Sequence, residues 1–191
     1  MSSLQAPEPT RTDEPEDRDL VARFRAGDSS AFDQIVAAHQ ERVTRLAFHL
    51  LGGEQAVEDV TQEVFLSVFE NLKRFRGQCM FSTWVTTIVL NKCRSHGRRR
   101  SIWRLRLPWL ARPIETMPQP GRRIEAVETG QQVRQAVQGL PVRYREPIVL
   151  RYFEELAVAE IGEILGISVA AVEVRLSRAR GRLRKTLTPE T

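Results

Sequence analysis

The chain has 191 residues, of which 41% are hydrophobic and 28% charged, the balance of an ordinary globular protein and not of a fibrous or wholly unfolded one. Its formal net charge of +5 points to a polyanionic partner, and its length admits one medium domain or two small ones. No apolar run approaches the length that spans a bilayer, so direct membrane insertion is not expected.

Charge is distributed unevenly. Glu8 to Asp19 is mostly acidic; Lys92 to Arg123 carries ten Lys or Arg against Glu115 alone; Arg175 to Lys185 carries six and no acid. Separation of this kind is usual in nucleic-acid binders, although solvated basic tails also produce it. Cys79 and Cys93 form no CxxC pair and no secretory signal opens the chain, so two reduced thiols in a cytoplasmic protein are expected. His39, His49 and His96 are too scattered to build a metal site with them. Neither a phosphate-cradling glycine loop nor a nucleophile elbow is present, so no catalytic residue, metal or cofactor is expected.

From the amino end, residues 1–18 are rich in Pro, Glu, Asp and Thr and are expected to be a disordered acidic tail. Asp28-Ser29-Ser30 offers N-cap residues, after which Phe32, Ile35, Val36, Val43, Leu46, Ala47 and Leu50 recur at helical spacing until Gly52-Gly53. A second helix fits Glu54 to Leu72, with Val57, Val60, Val64, Val68 and Leu72 in one stripe and Phe65 and Phe69 off its centre. A third fits about Ser82 to Arg98; its β-branched residues would also suit a strand, but the run is long and its neighbours are helical. These helices make a first unit over residues 19–100.

Between residues 101 and 123 the periodicity collapses. Pro108, Pro113, Pro118, Pro120 and Gly121 punctuate a linker whose Trp103, Leu105, Leu107, Trp109 and Leu110 are too apolar for a simple tether. A second unit, 124–187, resumes with helices from Ile124 to Gly139, from Leu140-Pro141 through Phe153, from about Ala157 to Leu165, and from Val169 to Leu187; residues 188–191 are tail. No strand signal stands out. The expected fold is all-α, with two small helical bundles joined by an irregular Pro-containing linker.

The last two helices are the most informative. Gly166 can take the positive φ of a tight exit, Ile167 can plug the core and Ser168 can cap the next helix. Val172, Leu176, Ala179 and Leu183 then fall inward. That geometry turns Ala170, Val174, Ser177 and Arg178 outward, flanked by Glu173, Arg175 and Arg182. This is a helix-turn-helix whose second helix is amphipathic and basic, the arrangement that lays a recognition helix in a major groove. Arg178 could bond a guanine edge and Glu173 could accept from cytosine. Arg180, Arg182, Arg184 and Lys185 suit phosphates better. The bland alternative is a two-helix packing corner with a solvated arginine face.

The segment "LPVRYREPIVLRYFEELAVAEIGEILGISVAAVEVRLSRARGRLRKTL" closely resembles the promoter-binding C-terminal domain of extracytoplasmic-function sigma factors. "FRAGDSSAFDQIVAAHQERVTRLAFHLLGGEQAVEDVTQEVFLSVFENLKRFRG" followed by "FSTWVTTIVLNKCRSHGRRR" resembles their promoter-melting domain. The resemblance covers about Leu20 to Leu187. It implies a bacterial initiation subunit that binds core RNA polymerase through its beta and beta-prime subunits, delivers it to promoters at the −35 and −10 elements, and helps open the duplex. It implies polymerase docking by Glu58, Asp59, Gln62 and Glu63, whose acidic and amide face suits a cationic partner helix. It implies −10 binding and melting by Lys73, Arg74, Phe75, Arg76, Phe81 and Trp84, continued along Asn91, Lys92, Arg98 and Arg99 (and Arg100). Those types supply the flat surfaces and cations that an unstacked single strand needs, although Phe81 and Trp84 taken alone would more often be core. It implies −35 contacts from Ala170, Ala171, Glu173, Val174, Arg175, Ser177, Arg178 and Arg182, and an anti-sigma factor acting in trans.

This chain departs from the family pattern at several places. Ala170-Ala171 stands where Gly-Thr is frequent, Glu173 where a basic residue is, and Val174 where a small polar one is. Ser95, preceded by Arg94, stands where an Asp commonly follows the Asn91 position. The tether is basic up to Arg112, where many relatives are acidic. Two other classes compete with the sigma-factor reading. A stand-alone regulator binding duplex DNA as a dimer would need no melting loop. A helical enzyme would have to use Glu54, Glu58, Asp59 and Glu63 as metal carboxylates, and no Glu-x-x-His motif accompanies them.

Overall fold

The computed structural model describes residues 14–106 and 124–188, all of them helical or in short turns between helices. The linker prolines and Gly121, the first 13 residues and the last three lie outside the described residues. So do the side chains of Arg100, Trp103 and Leu105, although their backbone is helical.

Helix α1 spans Glu14–Arg25 and α2 spans Ser30–Leu51. The turn between them is tied by Asp28, whose carboxylate accepts from the Ser30 amide (3.0 Å) and hydroxyl (2.6 Å) and from Arg23 Nη2 (2.8 Å). These hydrogen bonds, from Ser30 first and Arg23 next, hold the Asp28 carboxyl below the usual carboxylate range. Along α2, Ala31, Ile35, His39, Val43, Leu46, Ala47 and Leu50 are buried, the 3.6-residue repeat that turns one stripe to the core. Gly52 ends it at φ 80°, with its amide donating to the Phe48 carbonyl.

Helix α3, Glu54–Leu72, buries the expected valine stripe and Leu72. Phe69, off that stripe, is covered on one side by Phe24 (5.4 Å between ring centroids) and Phe32 (5.0 Å), which bind α1, α2 and α3 together at their far end. Helix α4 spans Phe81–Arg106. Its β-branched run is held helical by packing on α2 and α3, and its threonine hydroxyls turn back on the helix: Thr86 donates to the Ser82 carbonyl (2.8 Å) and Thr87 to that of Thr83 (3.0 Å).

Two expectations need correction. The amino-terminal tail is not disordered through residue 18, because α1 begins at Glu14 and Asp17 is 5% exposed. Its carboxylate meets Nε2 of buried His39 at 2.8 Å, a partner 22 positions away that local composition does not reveal. The third helix does not stop near Arg98 but runs to Arg106, since the first residue unable to continue a helix is Pro108.

The second bundle contains α5 (Ile124–Gly139), α6 (Val142–Tyr152), α7 (Val158–Leu165) and α8 (Val169–Leu187). Tyr144, Ile148, Val149, Leu150, Ile161, Ile164, Val172, Leu176 and Ala179 form its interior. This interior is continuous with that of the first bundle, because α5 and α6 lean on α2, and α7 leans on α4.

Asp17→Ala is expected to lower stability by about 1–3 kcal/mol in urea unfolding, because it strands a buried imidazole without its partner. Glu16→Ala, one position away and exposed, should change stability by less than about 0.5 kcal/mol.

Candidate nucleic-acid interface

Three surfaces gather the residues singled out from the sequence. The first lies on α3. Glu58, Asp59 and Gln62 are exposed there, whereas Glu63 is half-buried and drawn toward α4 by Arg99 (3.1 Å) and Lys92 (4.0 Å). Leu66 follows one turn beyond Gln62 and is 60% exposed, and Phe69 is 49% exposed. An unpaired leucine beside an acid and an amide on one helix face suits a partner helix that is both apolar and cationic. Leu66 was not among the expected docking residues. Its signal was available, as an apolar side chain lying off the buried valine stripe.

The second surface is the turn from α3 into α4. Lys73, Arg74 and Arg76 are exposed, and Gly77 makes the reversal at φ 68°. Behind them Phe75, Phe81 and Trp84 form one aromatic cluster, with ring centroids 5.0 Å apart for Phe75–Trp84, 5.5 Å for Phe75–Phe81 and 5.6 Å for Phe81–Trp84. Phe81 is only 4% exposed and packs edge-on against His39 at 5.2 Å. It therefore supports the cluster from below, and the rings open to solvent are those of half-buried Phe75 and Trp84. Along α4, Asn91, Arg98 and Arg99 are exposed and Lys92 half-buried, extending a basic track away from the cluster.

The third surface is the helix-turn-helix. Gly166 ends α7 at φ 67°, and Ser168 Oγ accepts from the Ala171 amide at 3.2 Å, capping α8. Gly162 was not singled out from the sequence, yet a Cβ there would lie 2.9 Å from the Ile167 carbonyl oxygen; the tight corner needs its missing side chain. Val172, Leu176 and Ala179 face inward, and Leu183 is half-buried at the end of that stripe. Ala170, Glu173, Val174, Ser177, Arg178 and Arg182 are exposed, while Ala171 and Arg175 are half-buried at the edges. Tyr144, on α6, is the residue that sequence reasoning missed here. Its ring is buried and carries the guanidinium groups of Arg143 (4.8 Å) and Arg182 (5.1 Å) over its face. A hydrogen bond with Arg178 holds its hydroxyl below the usual tyrosine range. Tyr144 thus steadies two of the arginines that α8 offers.

Among the described residues, no group of three or more His, Cys, Asp or Glu lies close enough to hold a metal ion, and no helix is long and apolar enough to cross a membrane.

Comparison with known proteins assigns these surfaces to a family. Sigma-70 region 2 matches residues 35–102, which include the α3 surface and the aromatic turn, and Sigma-70 region 4 matches residues 130–183, which include the helix-turn-helix. The chain is 30% identical to the ECF RNA polymerase sigma factor SigW of Bacillus subtilis, over 87% of this chain and 94% of that protein. It is likewise 30% identical to the RNA polymerase sigma-H factor of Pseudomonas aeruginosa, over 91% of this chain and 95% of that protein. A solved structure of CnrH in complex with the cytosolic domain of CnrY superposes with a TM-score of 0.68 at 30% identity, covering 92% of this chain and 99% of that one. The sigma factor RpoE of Bartonella quintana, solved with the anti-sigma factor NepR, shares the fold at a TM-score of 0.68 and 22% identity. Two regions in the family's order, and relatives matched along nearly their whole length, place this chain among the extracytoplasmic-function sigma factors, the bacterial subunits that direct RNA polymerase to promoters.

Proposed function

We propose that the work of a sigma factor is divided in this chain among the three surfaces just described. The first bundle, α1 to α4, docks on core polymerase through Asp59, Gln62 and Leu66, with Glu58 and Glu63 at the rim. It takes the −10 strand on Phe75 and Trp84, with Lys73, Arg74, Arg76, Asn91, Lys92, Arg98 and Arg99 along the backbone. The unit from 124 to 187 reads the −35 duplex with α8. Arg178 and Glu173 face base edges, Ala170, Ala171, Val174 and Ser177 line the groove, and Arg175 and Arg182 hold phosphates. The observation that carries this division is the coexistence of an exposed, well-capped basic helix with a second, aromatic and cationic turn in another bundle. A stand-alone duplex reader needs only the former.

On this reading the chain has no active site of its own. It acts in the cytoplasm, and the catalysis belongs to the polymerase. An anti-sigma factor would cover the exposed faces when the chain is idle, as the complex of its relative CnrH with a second protein's cytosolic domain suggests. Run-off transcription with core polymerase on a promoter library tests the whole reading. Start-site selection that depends on this chain is expected, and its failure would overturn the assignment.

Arg178→Ala should cost about 1–3 kcal/mol of discrimination at particular −35 bases, read by competition between promoter variants, while polymerase binding stays intact. Asp59→Ala with Gln62→Ala should weaken co-purification with core polymerase by about tenfold or more, with helicity unchanged. Trp84→Ala should reduce permanganate reactivity of promoter thymines more than it reduces closed-complex formation, because base stacking on a ring contributes about 1–3 kcal/mol. A parallel melting curve separates that outcome from simple unfolding.

A further inference from the structure

Arg143 lies outside the helix-turn-helix, exposed in the first turn of α6, yet its guanidinium is 4.8 Å from the centre of the buried Tyr144 ring. Arg182 comes to the same ring from α8, at 5.1 Å. Arg178, about one turn earlier on α8, hydrogen-bonds the hydroxyl at the ring's edge. Three guanidinium groups from two helices converge on one side chain.

We propose that Arg143 and Arg182, stacked on Tyr144, form a clamp for one backbone phosphate of the −35 duplex, and that the clamp together with the Tyr144 hydroxyl fixes the register in which Arg178 meets the bases. The clamp rests on the promoter reading of α8 and adds to it a contact from α6.

Charge is the first ground. Arg23, Arg42, Arg94 and Arg99 each meet a carboxylate, whereas none of the three around Tyr144 forms an ion pair among the described residues. Arg143 and Arg182 share one ring and so lie within about 10 Å of each other, a Debye length at ordinary ionic strength. Their mutual repulsion is offset by the attraction of each cation to the aromatic face, which leaves a site of concentrated positive charge without its counterion. The hydroxyl registers the same field. The hydrogen bond from Arg178 lowers it most, and the charges of Arg143, Arg178 and Arg182 lower it further, against the opposing effect of burial.

Order is the second ground. A guanidinium laid on a buried ring has given up much of its side-chain freedom before any ligand arrives, so binding loses less. Its planar fork also presents paired N–H donors to phosphate oxygens.

Position is the third. Arg182 lies beyond the outward residues Ala170, Val174, Ser177 and Arg178 on α8. A phosphate gripped there holds the carboxyl half of the helix to the backbone while the amino half enters the groove. One arginine on a rod leaves the rod free to pivot. A second, from α6, removes that freedom.

Holoenzyme reconstituted with the full chain tests the clamp, on promoter duplexes that carry single methylphosphonates across the −35 element. Each methylphosphonate removes one backbone charge. Arg143→Ala should weaken binding about threefold or more and lower the salt slope of log affinity by about one, with helical circular dichroism unchanged. One methylphosphonate position should weaken the parent yet have no further effect on Arg143→Ala or Arg182→Ala. Arg143→Lys should restore the slope. Tyr144→Phe keeps the ring and loses the hydroxyl: it should keep the slope and relax discrimination at the bases Arg178 reads by about fivefold. Adding Arg178→Ala to it should relax those positions no more than Arg178→Ala alone.

An unchanged slope in Arg143→Ala, or no phosphate whose neutralisation falls silent in that variant, would overturn the clamp. Parent discrimination in Tyr144→Phe would overturn the hydroxyl's part in setting the register. Millimolar inorganic pyrophosphate that protects the parent but not Arg143→Ala from heat, with promoter binding equal in both, would assign the site to a free anion instead. A parent holoenzyme with no preference for promoter over scrambled duplex would sink the promoter reading, and the clamp's −35 role with it.

Discussion

Helix α2 is the wall on which both halves of the molecule stand. Its stripe from Ala31 to Leu50 is almost entirely removed from water and faces α1, α3 and α4. At its carboxyl end the same rod meets α5 and α6. A helix has only so many faces: once the apolar stripe is committed to the first bundle, Arg42 and the terminal carbonyl of Leu50 remain on the side that the second bundle occupies. The apolar core runs on across the junction between the bundles, with ion pairs and hydrogen bonds beside it.

Burial sorts the aromatic and acidic residues near the reading surfaces in the same manner. Phe81 belongs to the core and holds up Phe75 and Trp84, which meet solvent. Glu63 leans toward the basic track of α4, leaving Asp59, Gln62 and Leu66 exposed on α3, the stripe proposed for docking. On α8 the arginines are not equivalent. Arg178 and Arg182 are steadied by Tyr144, while the side chains of Arg180 and Arg184 are exposed. A guanidinium held in place loses less freedom on meeting a base edge than one that must be ordered from solution. On the proposed reading this makes Arg178 and Arg182 the pre-organised contacts of α8, while Arg180 and Arg184 would be ordered only on binding.

Cysteine chemistry is muted in this setting. Cys93 is buried, and desolvation with the nearby Glu146 carboxylate pushes its thiol up to about 12. As a thiol it is inert and fills space like a small apolar residue. Cys79 is exposed in the turn before α4, yet its thiol is also raised rather than activated.

Much was written locally and could be read from the chain. The α2 and α3 stripes, the Gly166–Ser168 corner and the inward Val172–Leu176–Ala179 row depend on periodicity and on the backbone demands of single residues, which neighbours in sequence carry. The split charge and the two family motifs likewise needed no coordinates. What lay beyond that reading depends on partners distant along the chain. Asp17 looked like part of an acidic tail until His39 received it. Phe81, a stacking surface by resemblance but more often core when taken alone, proves buried against His39 and Trp84. Tyr144, Gly162, Glu146 and Arg94 carried no local signal at all. A side chain's periodicity tells which way it points on its own helix. Only the packing of helices separated by tens of residues decides whether it points at water, at a core or at an opposite charge.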